Sequence, residues 1–397
     1  MIEFSEAIQI VRSNFIDPGC ERTPLHLSAG RYLAEEIKAD RDTPPFNKSA
    51  VDGFACRTED LSDQLKIIET IQAGHMPAKS VSRGECSRIM TGAMVPYGAD
   101  AVVMVEECIV DGDIMHYLGR GVKDNICKKG EDIRMGEVAI STGVLINSAH
   151  IAVMASMGVV EPLVKKALKV GILSTGDEIV EPGESPTTVQ IRNSNGWQLY
   201  SQAIMAGTDA AYLGIIKDNP ETTIQIIRDG IEKCDALILT GGVSMGDFDY
   251  VPQSLTILGF DILFDRVAVQ PGKPSTFAIL RDETGSVAKV VFALPGNPVS
   301  SYLQFEILVK SWIASSSGAE DPVARIQLPL AQEYVRKNNS REALIPGVVK
   351  ENGVFEPLSY NGSAHILAMG RANAVAVIPI GISQLAAGSP VGVILLR

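Results

Sequence analysis

Residues suited to disulfide, zinc or acyl-transfer chemistry are scarce in this sequence. Its 397 residues include five histidines and six cysteines, the latter being Cys20, Cys56, Cys86, Cys108, Cys127 and Cys234. The cysteines are scattered, without C-x-x-C spacing or a Cys/His cluster of the zinc type, and no Ser/His/Asp or Cys/His nucleophile arrangement stands out. The simplest interpretation is a cytoplasmic protein with reduced thiols.

Positive charge is also in short supply. Lysine and arginine total 35 against 47 aspartates and glutamates, which gives a formal net charge of −12. Binding to DNA or RNA is not expected, because a protein must present a basic face to displace the counterions of a phosphate backbone. A local basic pocket for one small anion remains compatible with this charge.

Long apolar runs are missing too. The first residues, Met1–Glu6, lack the basic start and apolar core of a signal peptide. The longest uncharged segment, 140–160, is interrupted by Asn147, Ser148 and His150, so it predicts a buried helix and not a membrane span. The ordinary composition, 46% hydrophobic and 21% charged, indicates a globular protein, and its length favours about two to four domains.

The stretch 236–250 is the segment around which the chain is organised. Its apolar start, Ala236–Leu239, suits a central strand covered on both faces. Thr240–Gly242 then forms a glycine turn whose bare N–H groups could hold phosphate. Asp247 and Asp249 follow, where carboxylates could share a divalent cation with that phosphate. A solvated Gly/Asp turn is the alternative interpretation of this stretch taken alone.

The remaining pattern divides the chain into four parts. Residues 2–16 have helical spacing, whereas 65–132 are strand-like and rich in turns. Short apolar strands alternate with helices from residue 168, and the pattern is strand-like again after residue 318. We predict a multidomain α/β protein with the following parts: a mixed α+β N-terminal domain (1–44 plus 136–167), a β-rich insert domain (45–135), an α/β domain with a mainly parallel sheet (168–316) and a C-terminal β-barrel-like domain (317–397).

Four polar turns of the α/β domain follow its predicted strands. They are Ser174–Glu178, Lys217–Asp218, Thr240–Gly242 and Pro295–Asn297. Because ligands of parallel sheets bind at the carboxyl ends of the strands, these turns are expected to converge on one crevice.

Seven short motifs occur in the order seen in one known family. They are residues 47–55, 90–93, 130–134, 174–178, 240–246, 271–274 and 294–298. Each alone is common turn chemistry, but seven in register are specific. The chain therefore resembles the molybdopterin molybdenumtransferases along its whole length, a group that includes the gephyrin E domain.

This resemblance implies both the assembly and the reaction. The expected protein is an elongated homodimer of four-part subunits. It would insert molybdate into the dithiolene of adenylylated molybdopterin, releasing AMP and molybdenum cofactor with the help of a divalent cation, usually Mg²⁺. Contact with the adenylyltransferase or with apo-molybdoenzymes is a further expectation.

The resemblance also assigns site residues. The catalytic residues would be Asp52, Thr91, Asp132, Glu178 and Lys273, and the metal would be held by Asp218 and Asp249. Residues expected to bind substrate are Thr240, Gly241, Gly242, Ser244, Asn193, Ser194, Pro295, Gly296, Asn297, Arg341 and Ser363. For any lone carboxylate the alternative is a surface charge or a helix cap, and Asp218 also precedes a good helix start.

One position departs from the family. Many relatives carry lysine where this chain has Gln270, so one positive charge is absent from the expected anion site. This departure leaves open the choice between molybdate and tungstate.

Two other functions stay open at this stage. The α/β domain alone resembles the adenylyltransferase that makes adenylylated molybdopterin, but the additional regions favour the molybdenumtransferase. A non-catalytic scaffold, as in receptor clustering by gephyrin, is the second alternative, although the acidic residues of the cleft are intact here.

Overall fold

A computed structural model describes residues 1–242, 250–320, 325–359 and 362–396. The chain forms two compact units. The small unit comprises Glu36–Ser141 and Ala149–Val160, and the large unit comprises Met1–Glu35, Thr142–Ser148 and Glu161–Arg397. The finer division into four domains stays a prediction.

The helices of the described residues lie mainly in the large unit. They are α1 (Phe4–Ser13), α2 (Ser148–Ser156), α3 (Ser194–Met205), α4 (Pro220–Lys233), α5 (Val251–Ile257), α6 (Pro298–Gln304) and α7 (Lys310–Ser316), with a π-helical turn, Phe305–Val309, between the last two. Short 3₁₀ helices occupy Leu25–Leu27, Thr58–Asp60, Val105–Glu107 and Ile366–Ala368. Helix α4 begins where Pro220 predicts it, because the Asn219 side chain caps the backbone N–H of Thr222 at 3.0 Å.

A six-stranded sheet forms the centre of the large unit. Its strands run in the spatial order Asp209–Ile216, Lys169–Thr175, Ala236–Thr240, Val287–Leu294, Pro274–Arg281 and Asp261–Arg266. The first four are parallel, as the alternation of strands and helices predicts, and the last two add an antiparallel edge. Those two strands were not predicted.

Both faces of this sheet are covered. Successive side chains along each strand point to opposite faces of the sheet. Ile238 and Phe292 pack in the hydrophobic core on one face. The core on the other face contains Leu237, Leu239 and Val291. All five residues of Ala236–Thr240 are buried, which confirms the prediction of a central strand.

The C-terminal segment forms a second six-stranded sheet of the large unit. Its main path is Val269–Gln270, Glu342–Val349, Ala374–Ile378, Pro390–Leu395 and Arg325–Pro329, with Phe355–Pro357 paired to the second of these. Val269–Gln270 comes from the preceding α/β segment and pairs in parallel with Glu342–Ala343. This pairing places Gln270 beside the start of the C-terminal sheet.

The small unit contains the predicted β-rich insert. Its sheet has the order Ala101–Met104, Gly53–Cys56, Glu85–Ile89, Leu65–Ile71, Ile114–Tyr117 and Cys108–Asp111. The chain also forms short peripheral pairs: Cys20–Arg22 with Leu163–Lys165, Ile37–Lys38 with Val138–Ile140, Lys48–Ser49 with Ile126–Cys127, Ile179–Val180 with Ile191–Arg192, and Tyr334–Val335 with Gln384–Leu385.

The helix predicted within 140–160 differs from the observed one. The observed helix, α2, begins only at Ser148, and Met154 is its one fully buried residue. The preceding residues are extended because Val144 and Ile146 accept backbone hydrogen bonds from Leu33 and Gly30 at 2.9 Å each. β-branched residues suit such extended pairing better than a helix start. No helix in the described residues has the length and apolarity needed to cross a bilayer.

Candidate functional site

A cavity of about 760 Å³ opens at the carboxyl ends of the parallel strands; we call it the strand-end cavity. All four polar turns predicted to converge contribute to its wall. Its lining includes Thr175, Gly176, Glu178, Asp218, Thr240, Gly241, Gly242, Pro295, Gly296 and Asn297. The crevice expected from the strand and helix pattern is therefore present.

The glycine turn approaches the neighbouring strand too closely for any side chain. Gly241 and Gly242 have φ angles of +90° and +64°. A Cβ atom on Gly241 would lie 2.6 Å from the carbonyl oxygen of Thr175, and one on Gly242 would lie 2.8 Å from Thr175 Oγ1. This buried Thr175 hydroxyl has no hydrogen-bond partner among the described residues. The two glycines therefore let the turn pack against Thr175, a residue of the cavity wall whose hydroxyl is unsatisfied, while Gly241 N donates to the carbonyl oxygen of Leu294 at 3.1 Å.

Asn195 connects three parts of the cavity wall. Its Nδ2 donates to Thr240 Oγ1 at 3.0 Å and to the carbonyl oxygen of Gly296 at 2.7 Å. Thr240 Oγ1 in turn donates to the carbonyl oxygen of Pro295 at 3.2 Å. The polar run 193–196 predicts a helix N-terminus that could take an anion, but only Asn193 and Ser194 of this run were predicted to bind substrate, without Asn195.

Asn193 and Ser194 lie at the start of α3, as predicted, and both line the cavity. The Asn193 side chain is buried and already engaged: its Oδ1 accepts hydrogen bonds from Gly196 N and Ser174 Oγ, both at 2.9 Å, and its Nδ2 donates to Tyr212 Oη at 2.7 Å. This geometry makes Asn193 a support for the cavity wall. Ser194 is exposed at the same helix start.

Carboxylates cluster where the strand-end cavity meets the turn before α4. Asp218 Oδ2 accepts from the backbone N–H of Asp177 at 3.3 Å, and Asp177 Oδ1 accepts from that of Asp218 at 3.2 Å. Lys217 Nζ donates to the carbonyl oxygens of Asp177 and Ile179 at 3.3 and 3.4 Å. Glu178, exposed nearby, folds its carboxylate over Gly176.

This cluster fits a hard divalent cation. Within the described residues no three acidic, histidine or cysteine side chains form a complete ligand group. Mg²⁺, however, is commonly held by one or two carboxylates together with substrate phosphates and waters. Asp177 and Asp218 supply two carboxylates of this kind, each with one oxygen that accepts from the other residue's backbone N–H. Asp177 was not among the predicted metal ligands.

A second cavity, of about 1170 Å³, lies in the same unit; we call it the basic cavity. Its basic lining residues are Lys273, Arg336, Lys337, Arg341 and Arg371, and among the described residues of the lining Glu356 is the one carboxylate. Lys273, predicted to be catalytic, and Arg341 and Ser363, predicted to bind substrate, are brought together here. The excess of positive charge suits an oxyanion.

The two cavities adjoin one another. Pro274, Pro295 and Asn297 line both of them. Ser363 also fixes the boundary, because its carbonyl oxygen accepts a hydrogen bond from Val299 N, at the start of α6, at 3.0 Å.

Arg336 supports the basic cavity through backbone contacts. Its guanidinium donates to the carbonyl oxygens of Arg341, Pro379 and Ile382 at 2.8, 2.6 and 2.6 Å. Arg341 itself reaches Gln270 Oε1 at 3.4 Å. Arg336 therefore holds the chain at Arg341, while Lys273 remains exposed to the cavity.

Asp52, Thr91 and Asp132 belong to the small unit. Asp52 Oδ1 accepts from the backbone N–H of Thr91 at 2.6 Å and from Thr91 Oγ1 at 2.8 Å. These two hydrogen bonds hold the pKa of Asp52 below its ordinary value. Asp132 is exposed, and its backbone N–H donates to the carbonyl oxygen of Thr43 at 3.0 Å.

Replacing Thr91 by valine should raise the pKa of Asp52, because the ionised carboxylate loses its hydroxyl donor. Folding lowers the pKa of Asp52, so its ionised carboxylate stabilises the folded protein at any pH above the pKa that Asp52 has in the unfolded chain. This contribution is lost as the pH falls through the pKa that Asp52 has in the folded protein. The variant should therefore be less stable than wild type at neutral pH, with the difference disappearing in strong acid.

An NMR titration of the Asp52 carboxyl carbon measures the change in its pKa. Urea unfolding at neutral pH and in strong acid measures the change in the free energy of unfolding. Thr70→Val is the matched control, since Thr70 is exposed in the same unit. An Asp52 pKa unchanged by Thr91→Val would contradict the assigned hydrogen bond.

The predicted residues Ser244 and Asp249, together with Asp247, lie outside the described residues. Their roles stay predictions.

Comparison with known proteins covers nearly the whole chain. Residues 2–158 match the MoeA N-terminal region (domain I and II), 171–315 match a probable molybdopterin binding domain, and 330–396 match the MoeA C-terminal region (domain IV). A molybdopterin molybdenumtransferase from Staphylococcus epidermidis is 34% identical over 99% of this chain and 95% of its own. One from Bacillus subtilis is 34% identical over 95% of this chain and 90% of its own.

Solved structures support the same grouping. A crystal structure of the molybdopterin biosynthesis moeA protein from Pyrococcus horikoshii OT3 has a TM-score of 0.82 at 26% identity, with 100% of both chains covered. Another from that species has a TM-score of 0.77 at 29% identity, covering 100% of this chain and 99% of the other. The predicted multidomain α/β fold is confirmed. With three family regions in order and relatives 34% identical along almost its full length, the chain belongs to the molybdopterin molybdenumtransferase (MoeA) family.

Proposed function

We propose that this chain is a molybdopterin molybdenumtransferase, which inserts molybdate into the dithiolene of adenylylated molybdopterin and releases AMP and molybdenum cofactor. One observation carries this proposal: the strand-end cavity and the basic cavity share Pro274, Pro295 and Asn297. A phosphate-bearing substrate and an oxyanion can therefore be held side by side in a family member.

The strand-end cavity holds the adenylylated substrate. Gly241 and Gly242 line this cavity, and a glycine turn of this kind can bring backbone N–H groups, here that of Gly242, to phosphate oxygens. Asn195 fixes the turns on either side through Thr240 and Gly296, so that these groups need little rearrangement when substrate binds.

The basic cavity holds molybdate. Lys273 supplies an exposed ammonium group, and Arg341 supplies a guanidinium group. Arg336 holds the backbone of Arg341 by donating to its carbonyl oxygen. Positive charges in the cavity wall stabilise an oxyanion without requiring a new proton transfer.

Mg²⁺ is part of the proposal. Asp218 and Asp177 would hold it, with Asp249 as a further ligand predicted from the sequence. When bound, the cation would neutralise phosphate charge during cleavage of the phosphoanhydride. Glu178, Asp52 and Asp132 are the remaining acidic residues assigned to the reaction by family resemblance.

The proposal extends to assembly and location. We infer a homodimer, in keeping with the family expectation, and transient contact with the adenylyltransferase or with apo-molybdoenzymes. The six cysteines, which all fall in described segments, are free thiols, and this supports a cytoplasmic location.

Incubation with adenylylated molybdopterin, molybdate and Mg²⁺ tests the function. AMP release that requires both molybdate and the divalent cation, with reconstitution of an apo-molybdoenzyme, is the expected result. Absence of AMP release from folded protein would reject the proposal. Synthesis of adenylylated molybdopterin from ATP would instead support the adenylyltransferase alternative.

The scaffold alternative has its own test. Cells lacking the native enzyme would be complemented with wild type or with Asp52→Ala. Equal cofactor formation by wild type and variant would count against the assigned role of Asp52 and favour a supporting role for the protein.

A further inference from the structure

The carboxylate of Glu181 binds two aromatic side chains. Tyr212 Oη donates to Oε1, and Trp197 Nε1 donates to Oε2 at 3.0 Å. The two rings also pack together, with centroids 4.7 Å apart. Burial, followed by the hydrogen bond to Glu181, raises the pKa of Tyr212, so its hydroxyl stays a donor across the physiological range.

This cluster is connected to the strand-end cavity by a continuous chain of hydrogen bonds. Tyr212 Oη accepts from Asn193 Nδ2 at 2.7 Å. Asn193 Oδ1 accepts from Ser174 Oγ, at the end of a central strand, and from Gly196 N, in the first turn of α3. Asn193 itself lines the cavity. Glu181 thus stands at the outer end of a network whose inner end is the cavity wall.

Loop 176–192 connects the central strand Lys169–Thr175 to α3. Its residues that line the strand-end cavity are Gly176, Glu178, Ile179, Ile191 and Arg192. A short parallel pairing at the base of the loop joins Ile179 to Ile191 and Val180 to Arg192.

Glu181 directly follows the paired residues at the base of this loop. Its two hydrogen bonds attach that base to the edge strand Asp209–Ile216, through Tyr212, and to α3, through Trp197. Glu181 therefore supplies the side-chain contacts of the loop base to Tyr212 and Trp197, alongside the hydrogen bonds that Lys217 and Asp218 make to Asp177 and Ile179.

We propose that Glu181 is a positioning residue for the adenylylated substrate, holding loop 176–192 against the strand-end cavity. This inference rests on the proposed function. Glu181 does not line the cavity, and it acts through Tyr212, Trp197 and the loop base. The lining residues of the basic cavity, which we assign to molybdate, include no residue of the loop.

Glu181→Gln tests the proposal, because glutamine keeps the length of the side chain but loses its charge and replaces one acceptor oxygen by an NH2 donor, so it cannot accept from both Tyr212 and Trp197. We expect the KM for adenylylated molybdopterin to rise roughly tenfold, the order expected for one lost charge-assisted hydrogen bond, with kcat and the KM for molybdate nearly unchanged. Glu184→Gln is the matched control, since Glu184 is an exposed carboxylate of the same loop. That control should behave as wild type.

A spectroscopic readout reports the loop directly. The chain has two tryptophans, Trp197 and Trp312, so 5-fluorotryptophan labelling gives two ¹⁹F resonances that Trp197→Phe assigns. Addition of AMP should shift the Trp197 resonance in wild type and Glu184→Gln. In Glu181→Gln the resonance should start from a different position, and AMP affinity should fall by about the same factor as the substrate KM rises.

Each outcome separates the two proposals. Unchanged substrate KM and AMP affinity in Glu181→Gln, with active wild type, overturn the positioning role alone. A fall in the kcat of Glu181→Gln with an unchanged KM for adenylylated molybdopterin also overturns the positioning role. Wild type that binds AMP but releases none from substrate rejects the proposed function, and the AMP titration then still decides the role of Glu181. If Glu181→Gln does not fold, Tyr212→Phe replaces it, with a smaller rise in the same KM expected.

Discussion

Replacing Gly241 by alanine is expected to reduce kcat/KM for AMP release by roughly 100-fold, because a displaced binding turn can cost about that much in rate. The backbone at this position has φ of +90°, and the new Cβ would lie 2.6 Å from the carbonyl oxygen of Thr175. That neighbour is backbone of a central strand and cannot rotate away. The turn must therefore move from its position in the cavity wall, where Gly241 N donates to the carbonyl oxygen of Leu294 at 3.1 Å.

The conformational strain alone does not account for this expectation. Alanine at positive φ costs about 1–2 kcal/mol relative to glycine, and any such site would show it as lower stability. Gly285→Ala is the matched control, since Gly285 has φ of +85° with no atom within 4 Å of its Cβ position. Both variants should lose thermal stability, but only Gly241→Ala should lose turnover.

Steady-state kinetics and thermal unfolding of the two variants decide the matter. If Gly241→Ala keeps kcat/KM within about twofold of wild type, the strand-end turn does not bind the reacting substrate. An equal loss of turnover in Gly285→Ala would mean that general destabilisation, and not the turn, controls the rate.

The strand-end cavity was predictable because its signals are local. A short apolar run followed by glycines indicates a buried strand and a turn, and parallel strands bring such turns to one edge. Thr240–Gly242 and Pro295–Asn297 could therefore be placed together without knowing any side-chain contact. The same periodicity predicted α4 from Asn219 and Pro220.

The supporting contacts could not be predicted in this way. Glu181 lies 31 residues from Tyr212 and 16 from Trp197, and neither separation follows a helical or strand period. Arg336 likewise donates to carbonyl oxygens 43 and 46 residues away. Backbone carbonyls are present at every residue, so the sequence contains no signal for which of them an arginine will bind.

Local patterns gave a wrong prediction where the same residues suit both a helix and an extended segment. Val144 and Ile146 fit an apolar helix in sequence, but their carbonyl groups pair with Leu33 and Gly30 in the fold. Only the tertiary pairing decides between these states. The π-helical turn Phe305–Val309 between α6 and α7 is a second example of an ambiguous pattern, because all five of its residues are buried and the sequence pattern does not distinguish it from an α-helical turn.

Lys273→Gln is expected to raise the KM for molybdate by about 10- to 100-fold, while the KM for adenylylated molybdopterin changes little. Two unit charges about 4 Å apart attract by about 4 kcal/mol at the effective dielectric near a protein surface, and exposure to solvent and salt reduces this value. Lys273 is exposed at the basic cavity. The effect should therefore shrink as ionic strength rises. Lys166→Gln, an exposed lysine of the same unit outside the cavity, controls for net charge.

Gln270 provides the complementary test of the same cavity. Its Oε1 lies 3.4 Å from Arg341 Nη2, so a lysine at this position would add charge but would also lose an acceptor and face a like charge. If charge dominates, Gln270→Lys should lower the KM for molybdate severalfold and partly restore Lys273→Gln. If the orientation of Arg341 dominates, Gln270→Lys should raise that KM and worsen the double variant. Measuring both KM values with molybdate and with tungstate separates these outcomes, because a purely electrostatic gain should favour both dianions equally. Equal KM values for wild type, Lys273→Gln and Gln270→Lys would instead place the oxyanion outside the basic cavity.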